Sequence, residues 1–567
     1  MLISLCLCLS LPKLFSYFLT LSNIIHNSSM ATIFIRELEN RYITSLKNCF
    51  KITQLKKIHA HVVKLSLSQS NFLVTKMLDS CDNLGHVSYA TLLFKQLLHP
   101  NIFTYNAIIR TYAHNRHHSS AISVFVQMLT HSTNSVFPDK FTFPFVIKSC
   151  TGILCHRLGM QVHGLVYKFG ADFHCITENA LIDMYTKFGD LTNACKVFEE
   201  MSHRDVISWN SLIFGYVKLG QMNSARELFD DMPVRTIVSW TTMITGYGRM
   251  GCYGDALDVF REMQMVGIEP DEISIIAVLP ACAQLGALEV GKWIHMYADK
   301  NGFLRKTGIC NALIEMYAKC GCIDEAWNLF DQLVEKDVIS WSTMIGGLAN
   351  HGKGYEAIQL FEEMCKVRVA PNEITFLGVL LACSHTGLWD EGLKYFDVMS
   401  ASYHIEPEIE HYGCLIDLLG RSGCLGQALD TISKMPIKPD SRIWNSLLSS
   451  CRIHRNLQIA VIAVKQLMEL EPEESGNYVL LANMYAEHGK WEDVSNIRKL
   501  IRNKRIKKTP GSSSIEVNNV VQEFVSSDDS KPFSQEVFWI LEGLALNQTR
   551  TNDLMEPVEE DADKSSL

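Results

Sequence analysis

Three phrases recur along this chain on one grid, and that grid constrains the fold more than any other feature. Val206-Ile-Ser-Trp-Asn210, Ile237-Val-Ser-Trp-Thr241 and Val338-Ile-Ser-Trp-Ser342 are versions of one phrase. Their tryptophans lie 31 and then 101 residues apart, and 101 is two units of 35 and one of 31. Asn179-Ala-Leu-Ile-Asp-Met-Tyr185 returns 132 residues later as Asn311-Ala-Leu-Ile-Glu-Met-Tyr317. Lys-Ser-Cys150, Pro-Ala-Cys282 and Leu-Ala-Cys383 are spaced by 132 and 101. A chain that repeats at this period is an array of one small supersecondary unit.

Each unit reads as two short helices. In 237–271, Trp240, Met243, Ile244 and Tyr247 fall at helical spacing. Gly251 interrupts, and Ala256, Leu257, Val259, Phe260 and Met263 form a second apolar set. Gly267 and Pro270-Asp271 close the unit. One hairpin of this length cannot bury its apolar face, but stacked neighbours can. The expected fold is all-α: a right-handed α-solenoid superhelix of stacked helix-turn-helix repeats with a concave face. The recurrent aromatic and methionine positions are inter-helix core.

Composition narrows the class further. At 567 residues with 47% hydrophobic and 20% charged side chains, the chain can fold and is not dominated by linkers. Beyond the N-terminus no uninterrupted apolar stretch reaches spanning length, so no membrane is expected. The net charge of −9 argues against gripping duplex nucleic acid mainly through phosphates. Much of that charge sits in a short tail: Asp553, Glu556, Glu559, Glu560, Asp561 and Asp563 face one base, Lys564. Upstream, Arg498, Lys499, Arg502, Lys504, Arg505, Lys507 and Lys508 form a run without acids. That run is an exposed helix face or a phosphate contact. The 18 cysteines include no Cys-x-x-Cys and recur at repeat positions. They read as small buried hydrophobes in a reducing compartment, not as a metal site.

Residues 1–29 carry eight Leu, one base (Lys13) and no acid. They suit a targeting segment, although one broken by Pro12 and unlike an Arg- and Ser-rich transit peptide. Translation from Met30 is the other reading.

The alternation of 35-, 35- to 36- and 31-residue units resembles the P, L and S motifs of plant pentatricopeptide repeat proteins. The resemblance covers about residues 39–525. It implies an N-terminal segment at 1–38 and a repeat array at 39–440. Two E motifs, each a helical hairpin, follow at 441–511, then a short segment at 512–530. An acidic, partly disordered tail closes the chain at 531–567. Within the array it gives L 39–70, S 71–101, P 102–139 and L 140–174. Units 175–205 and 206–236 follow, then P 237–271, L 272–306, S 307–337, P 338–372, L 373–408 and S 409–440.

In this family each unit reads one RNA base with two or three side chains. The resemblance therefore implies sequence-specific binding of single-stranded organellar RNA. The base would meet the fifth and last residues of a unit. The pairs are Thr75/Asn101 for A, Asn106/Asp139 and Asn179/Asp205 for U, and Asn210/Thr236 for a pyrimidine. They continue with Thr241/Asp271 for G, Asn311/Asp337 for U and Ser342/Asn372 for A, and end on an atypical Gly413/Asp440. The second residue (Phe103, Ile176, Ile207, Val238 or Ile339) would wedge between bases. The implied target is A-U-n-U-Y-G-n-U-A, then five unassigned bases and an edited C. The competing reading is that Asn or Ser early in a helix is only a cap.

The resemblance also bears on chemistry. Family members with their own deaminase carry His-x-Glu and Cys-x-x-Cys zinc ligands in a C-terminal domain. Here His404-Ile405-Glu406 lies inside an L unit, no Cys-x-x-Cys follows, and the terminal Asp-Tyr-Trp is missing. No catalytic residues, metal or cofactor are expected. The implied role is to specify C-to-U editing sites and recruit a DYW-type deaminase in trans through 441–525, with small organellar editing cofactors as partners. The mitochondrion is the expected location, ahead of the plastid. The alternative is a splicing, maturation or stability factor acting by occupancy. Among the E-region apolar residues, Trp444, Leu447, Tyr478, Leu480 and Leu481 are candidates for core first and partner surface second.

Overall fold

Most first helices in the array start on a residue of the preceding unit. Asp205 accepts the Ser208 N–H and opens helix Val206–Lys218. Asp271 does the same for Glu272–Leu285, and Asp337 for Val338–Asn350. Asp440 opens Ser441–Ile453. These are N-caps: a short carboxylate satisfies a backbone donor that the helix cannot.

The helices end on an equally local signal. After Val206–Lys218, Gly220 takes φ +74°, a left-handed conformation that suits glycine. It lets the Gln221 N–H reach Tyr216 O at 3.0 Å and the Gly220 N–H reach Val217 O at 3.1 Å. The second helix, Met222–Asp231, then runs back with Ala225 and Phe229 buried.

The computed structural model describes residues 29–130, 136–171, 174–503, 512–517, 520–525 and 539–540. Most of the N-terminal segment, Lys504 to Lys508, Thr509-Pro510-Gly511 and nearly all of the tail lie outside them. The chain forms two compact units, Met1–Gly246 and Tyr247–Leu567. Each is a row of helical hairpins in which successive first helices pack side by side. The all-α architecture read from the repeats is the one observed. One small addition is an antiparallel pair of strands, Ser512–Val517 and Val520–Val525, with Ser512 opposite Val525 and Val517 opposite Val520. Helix Ser29–Lys47 runs across the expected boundary at residue 38. No helix of the described residues is long and apolar enough to cross a membrane.

First helices approach closely because glycine stands at the contact. A Cβ on Gly215 would meet Thr186 Cγ2 at 2.4 Å, and one on Gly246 would meet Val217 Cγ1 at 2.7 Å. In the second unit, a Cβ on Gly347 would meet Ala318 Cβ at 3.0 Å. Gly215, Gly246 and Gly347 occupy the same place in their repeats, so the spacing is built into the unit.

A second device explains the Ile-Ser-Trp phrase. Phe198 lies edge-on to Trp209, with centroids 4.8 Å apart, and Arg204 stacks on the Phe198 ring at 4.7 Å. Arg204 Nε–H also donates to Phe198 O at 2.9 Å. Phe229, Trp240 and Arg235 repeat the arrangement, with Arg235 Nε–H on Phe229 O at 2.8 Å. Phe330, Trp341 and Lys336 repeat it in the second unit. The cation answers the negative end of the second helix while its face covers an aromatic ring. Arg204, Arg235 and Lys336 each stand immediately before the last residue of their repeat.

The recurrent cysteines are reduced and buried at Cys81, Cys150, Cys282, Cys383 and Cys451. Burial pushes the thiols of Cys81, Cys150 and Cys383 up to about 12, which keeps them protonated and inert.

The close glycine contact gives a test. Gly215→Val should destabilise the protein by about 2 kcal/mol through overpacking against Thr186. Gly248→Ala, in helix Ile237–Arg249 with nothing within 4 Å of the added Cβ, should stabilise it by about 0.5–1 kcal/mol. Chemical denaturation followed by circular dichroism measures both.

Candidate nucleic-acid interface

The last residue of a repeat caps the following helix and also faces the fifth residue of its own repeat. In unit 175–205, Asn179 Nδ2 lies 3.1 Å from both oxygens of Asp205. Asp205 Oδ1 meanwhile holds the Ser208 N–H at 2.8 Å. In unit 307–337, Asn311 Nδ2 donates to Asp337 Oδ1 at 3.1 Å, and the same oxygen accepts the Ser340 N–H and hydroxyl at 2.8 and 2.9 Å. Burial pushes the Asp205 and Asp337 carboxyls up, but these hydrogen bonds outweigh it and hold both below the usual range. Both are therefore ionised acceptors at neutral pH.

An ionised carboxylate accepts only, so the amide orientation is fixed. Nδ2 faces the acid, and Oδ1 of Asn179 and of Asn311 remains buried without a partner. A buried carbonyl with no donor is costly unless something supplies one.

The third pair assigned to U differs. Asn106 Nδ2 donates to Asp139 Oδ1 at 3.0 Å, but Asn106 Oδ1 accepts the Thr142 hydroxyl at 2.6 Å. Thr142 Oγ1 also lies 3.0 Å from Asp139 Oδ1, so its single proton has two acceptors.

The hydroxyl pairs are arranged differently again. Thr75 Oγ1 donates to Asn71 O at 2.7 Å, and Ser342 Oγ to Val338 O at 2.7 Å. Each hydroxyl proton can thus be spent inside the helix, while Ser342 Oγ also lies 2.7 Å from Thr375 Oγ1 and Thr75 Oγ1 3.4 Å from Thr104 Oγ1. Asn101 Oδ1 caps Thr104, and Asn372 Oδ1 caps Thr375 while lying 3.3 Å from Ser342 Oγ.

Other expected pairs are not joined in this way. Asn210 Oδ1 is buried without a partner, and Thr236 engages Ser239. Asp440 Oδ2 is held by Arg442 Nε at 2.7 Å, while Gly413 offers no side chain. A Cβ on Gly413 would meet only Ile443 Cδ1, at an ordinary 3.8 Å.

The side-chain cap falls on the last residue of the unit, so the reading of the fifth-position Asn or Ser as only a cap does not hold. The cap coexists with the paired geometry. After two of the L units the pattern breaks: helices Cys175–Phe188 and Thr307–Lys319 follow His174 and Lys306, which supply no side-chain cap, whereas Ser70, closing L 39–70, caps Asn71–Asn83.

Beside these pairs stands a row of exposed apolar residues. Phe103, Ile176, Ile207 and Val238 are exposed in the first unit, and Ile339 in the second. Phe103 is 67% exposed in a helix whose remaining apolar residues are largely buried. The same second position carries Phe72 and Phe141 in the first unit and Ile273 and Ile374 in the second, all exposed. Sequence reading named none of these four: Phe141, Ile273 and Ile374 stand in L units without an assigned base, but Phe72 stands in the assigned unit 71–101. Their place in the repeat was the available signal.

Arg498, Lys499 and Arg502 are exposed on helix Trp491–Asn503. In the E region, Trp444, Leu447, Tyr478 and Leu481 are buried and Leu480 half-buried, so they form core. Among the described residues the large apolar side chains exposed there are Ile453, Val461, Ile462, Leu470, Val479 and Trp491. Among the described residues no group of three His, Cys, Asp or Glu side chains could hold a metal ion. His404, with φ +56°, belongs to no such group.

Comparison with known proteins agrees with this organisation. The PPR repeat family model matches residues 100–152, 235–284 and 336–385. The PPR repeat model matches 179–206, 207–237, 309–338 and 410–438. The E motif model matches 454–516. A pentatricopeptide repeat-containing protein of Arabidopsis thaliana is 61% identical over 514 residues, spanning 91% of this chain and 96% of its own length. A putative Arabidopsis thaliana relative described as chloroplastic is 43% identical over 502 residues, spanning 88% of this chain and 91% of its own. The crystal structure of the pentatricopeptide repeat protein PPR10 from maize superposes with a TM-score of 0.50 at 16% identity, covering 82% of this chain and 78% of that one. PPR10 has also been solved in complex with an 18-nt psaJ RNA element. With fold, repeat geometry and relatives in agreement, the chain belongs to the pentatricopeptide repeat family.

Proposed function

We propose that this chain binds single-stranded RNA one base per repeat and thereby specifies sites of organellar C-to-U editing. The observation that carries the reading is a juxtaposition at the start of helix Cys175–Phe188. An exposed apolar side chain stands three residues before a buried amide whose carbonyl has no partner, as at Ile176 and Asn179. A flat base stacked on the first would bring its edge to the second.

Hydrogen-bond chemistry then favours particular bases. Uracil presents an N3–H donor, which the outward Oδ1 of Asn179 or Asn311 can accept. Adenine presents an amino donor beside an acceptor nitrogen. A remaining lone pair of Thr75 or Ser342 suits the first, and the amide Nδ2 of Asn101 or Asn372 suits the second. Guanine presents donors only on the N1/N2 side of its edge, which suits the acceptor-only Asp271. Wrong bases leave a buried group unpaired, which is where discrimination comes from.

The E region is the second support. Its hairpins are helical and carry exposed Ile453, Ile462, Val479 and Trp491. Under this proposal they dock a DYW-type deaminase in trans, and small editing cofactors bind elsewhere on the array. The edited base would be converted by that partner and not by this chain. Delivery is proposed to the mitochondrion. A fluorescent fusion of the full chain found in plastids instead would reassign the compartment.

The test is a comparison of organellar transcripts from plants with and without the gene. Editing should fail at one or a few cytidines preceded by A-U-n-U-Y-G-n-U-A and five further bases. Intact editing with an unspliced or depleted transcript would replace this reading with a maturation role. In vitro, exchanging the G or the final A of that sequence should weaken binding of the purified protein; indifference to both exchanges rejects the base assignments. Phe103→Ala should weaken RNA binding by about 1–3 kcal/mol. It should leave the thermal midpoint unchanged, because the ring is exposed in the free protein.

A further inference from the structure

Two repeats share the Asn/Asp pair assigned to uracil but hold the acid differently. In unit 307–337, three donors converge on one oxygen, Asp337 Oδ1. In unit 175–205 the acid is held at both oxygens. Asp205 Oδ1 accepts the Ser208 N–H at 2.8 Å, and Asp205 Oδ2 accepts the Cys175 thiol at 3.0 Å. Cys175 is the first residue of helix Cys175–Phe188; Thr307 takes that place in the other unit.

A carboxylate held at one oxygen resists turning about its Cβ–Cγ bond through that oxygen's hydrogen bonds alone. One held at both resists through two sets, and for Asp205 the second is the Cys175 thiol. Asn179 Nδ2 meets this carboxylate at 3.1 Å from each oxygen and lies 3.5 Å from Cys175 Sγ. The thiol can do this because it stays protonated: burial first, and then Asp205, push it up to about 11.

The consequence reaches the base. Uracil offers a donor at N3, and cytosine an acceptor. Asn179 would read cytosine only if its amide turned over, presenting Nδ2 outward and Oδ1 to the acid. Two acceptors would then face each other. A carboxylate that turns relieves this clash, and turning Asp205 would break the Cys175 contact as well as the Ser208 one. Asn179 itself is only 9% exposed, and its Oδ1 has no partner in the free protein, so the group awaiting a ligand sits in this arrangement.

We propose that Cys175 is a positioning residue for base recognition: by holding Asp205 Oδ2 it locks Asn179 in the orientation that accepts uracil and rejects cytosine. The inference rests on the RNA-reading role proposed above and adds a residue outside the fifth and last positions.

The experiment measures equilibrium binding of the purified full chain to RNAs carrying U or C at the nucleotide facing Asn179, and separately at the one facing Asn311. Cys175→Ala should lower the U-over-C ratio at the Asn179 nucleotide by about three- to tenfold, the range of one modest hydrogen bond. The ratio at the Asn311 nucleotide should not change. Cys175→Ser, which keeps an O–H donor, should restore most of the loss. Thermal melts establish that both variants fold. An unchanged ratio at the Asn179 nucleotide, with the Asn311 ratio intact, overturns the inference and leaves the RNA-reading role standing. Equal losses at both nucleotides also overturn it, since they mark general destabilisation. No U preference at either nucleotide in the unaltered protein rejects the reading role and the inference together.

Discussion

The structure depends on a shared residue. A short polar side chain closes one repeat, starts the first helix of the next, and faces the fifth residue of its own. Asp205 and Asp337 do all three through contacts of about 3 Å. A helix cannot satisfy its own first N–H groups, so some acceptor must stand there. Placing that acceptor at the end of the previous repeat ties the start of each hairpin to its predecessor. The amide of Asn179 or Asn311 then needs no dedicated scaffold, because its partner is already fixed for structural reasons.

Two other devices keep the register. Glycine at the contacts of Gly215 with Thr186 and Gly347 with Ala318 sets how near successive first helices come. The Phe–Trp–cation sandwiches at Phe198, Phe229 and Phe330 tie the end of a second helix to the next first helix. Because Arg204, Arg235 and Lys336 immediately precede the capping position, the clamp and the cap form one turn. The Ile-Ser-Trp phrase is the sequence trace of that turn.

How much of this could be read beforehand follows from what a repeat exposes. Period and apolar spacing report helices, and the helices are where the 31- and 35-residue units put them. The pairing of Asn179 with Asp205 and of Asn311 with Asp337 was legible because both members stand at fixed places. What was not legible depends on third residues. Nothing in the spelling of unit 102–139 says that Thr142, outside that unit, occupies the carbonyl of Asn106. Nothing says that Cys175, which looks like one more small hydrophobe, donates to Asp205. The burial of Trp444 and Tyr478 follows the core-first expectation, whereas the exposure of Ile462 and Val479 required knowing how the E hairpins pack. The strand pair at 512–525 escaped because two six-residue runs after a long helical array carry little periodic signal.

Making one residue serve both ends has a consequence for how such a protein can change. At assigned repeats the closing residues are Asn101, Asp139, Asp205, Thr236, Asp271, Asp337 and Asn372. All are Asp, Asn or Thr, which are good helix starters. A substitution there is filtered first by whether a helix can begin on it. The vocabulary available for acquiring a new target is therefore set by the backbone and not by the ligand. Drift between Asp, Asn and Thr rewrites one letter while the cap is kept, whereas a residue such as His174 or Lys306 at that place leaves the next helix without its side-chain cap.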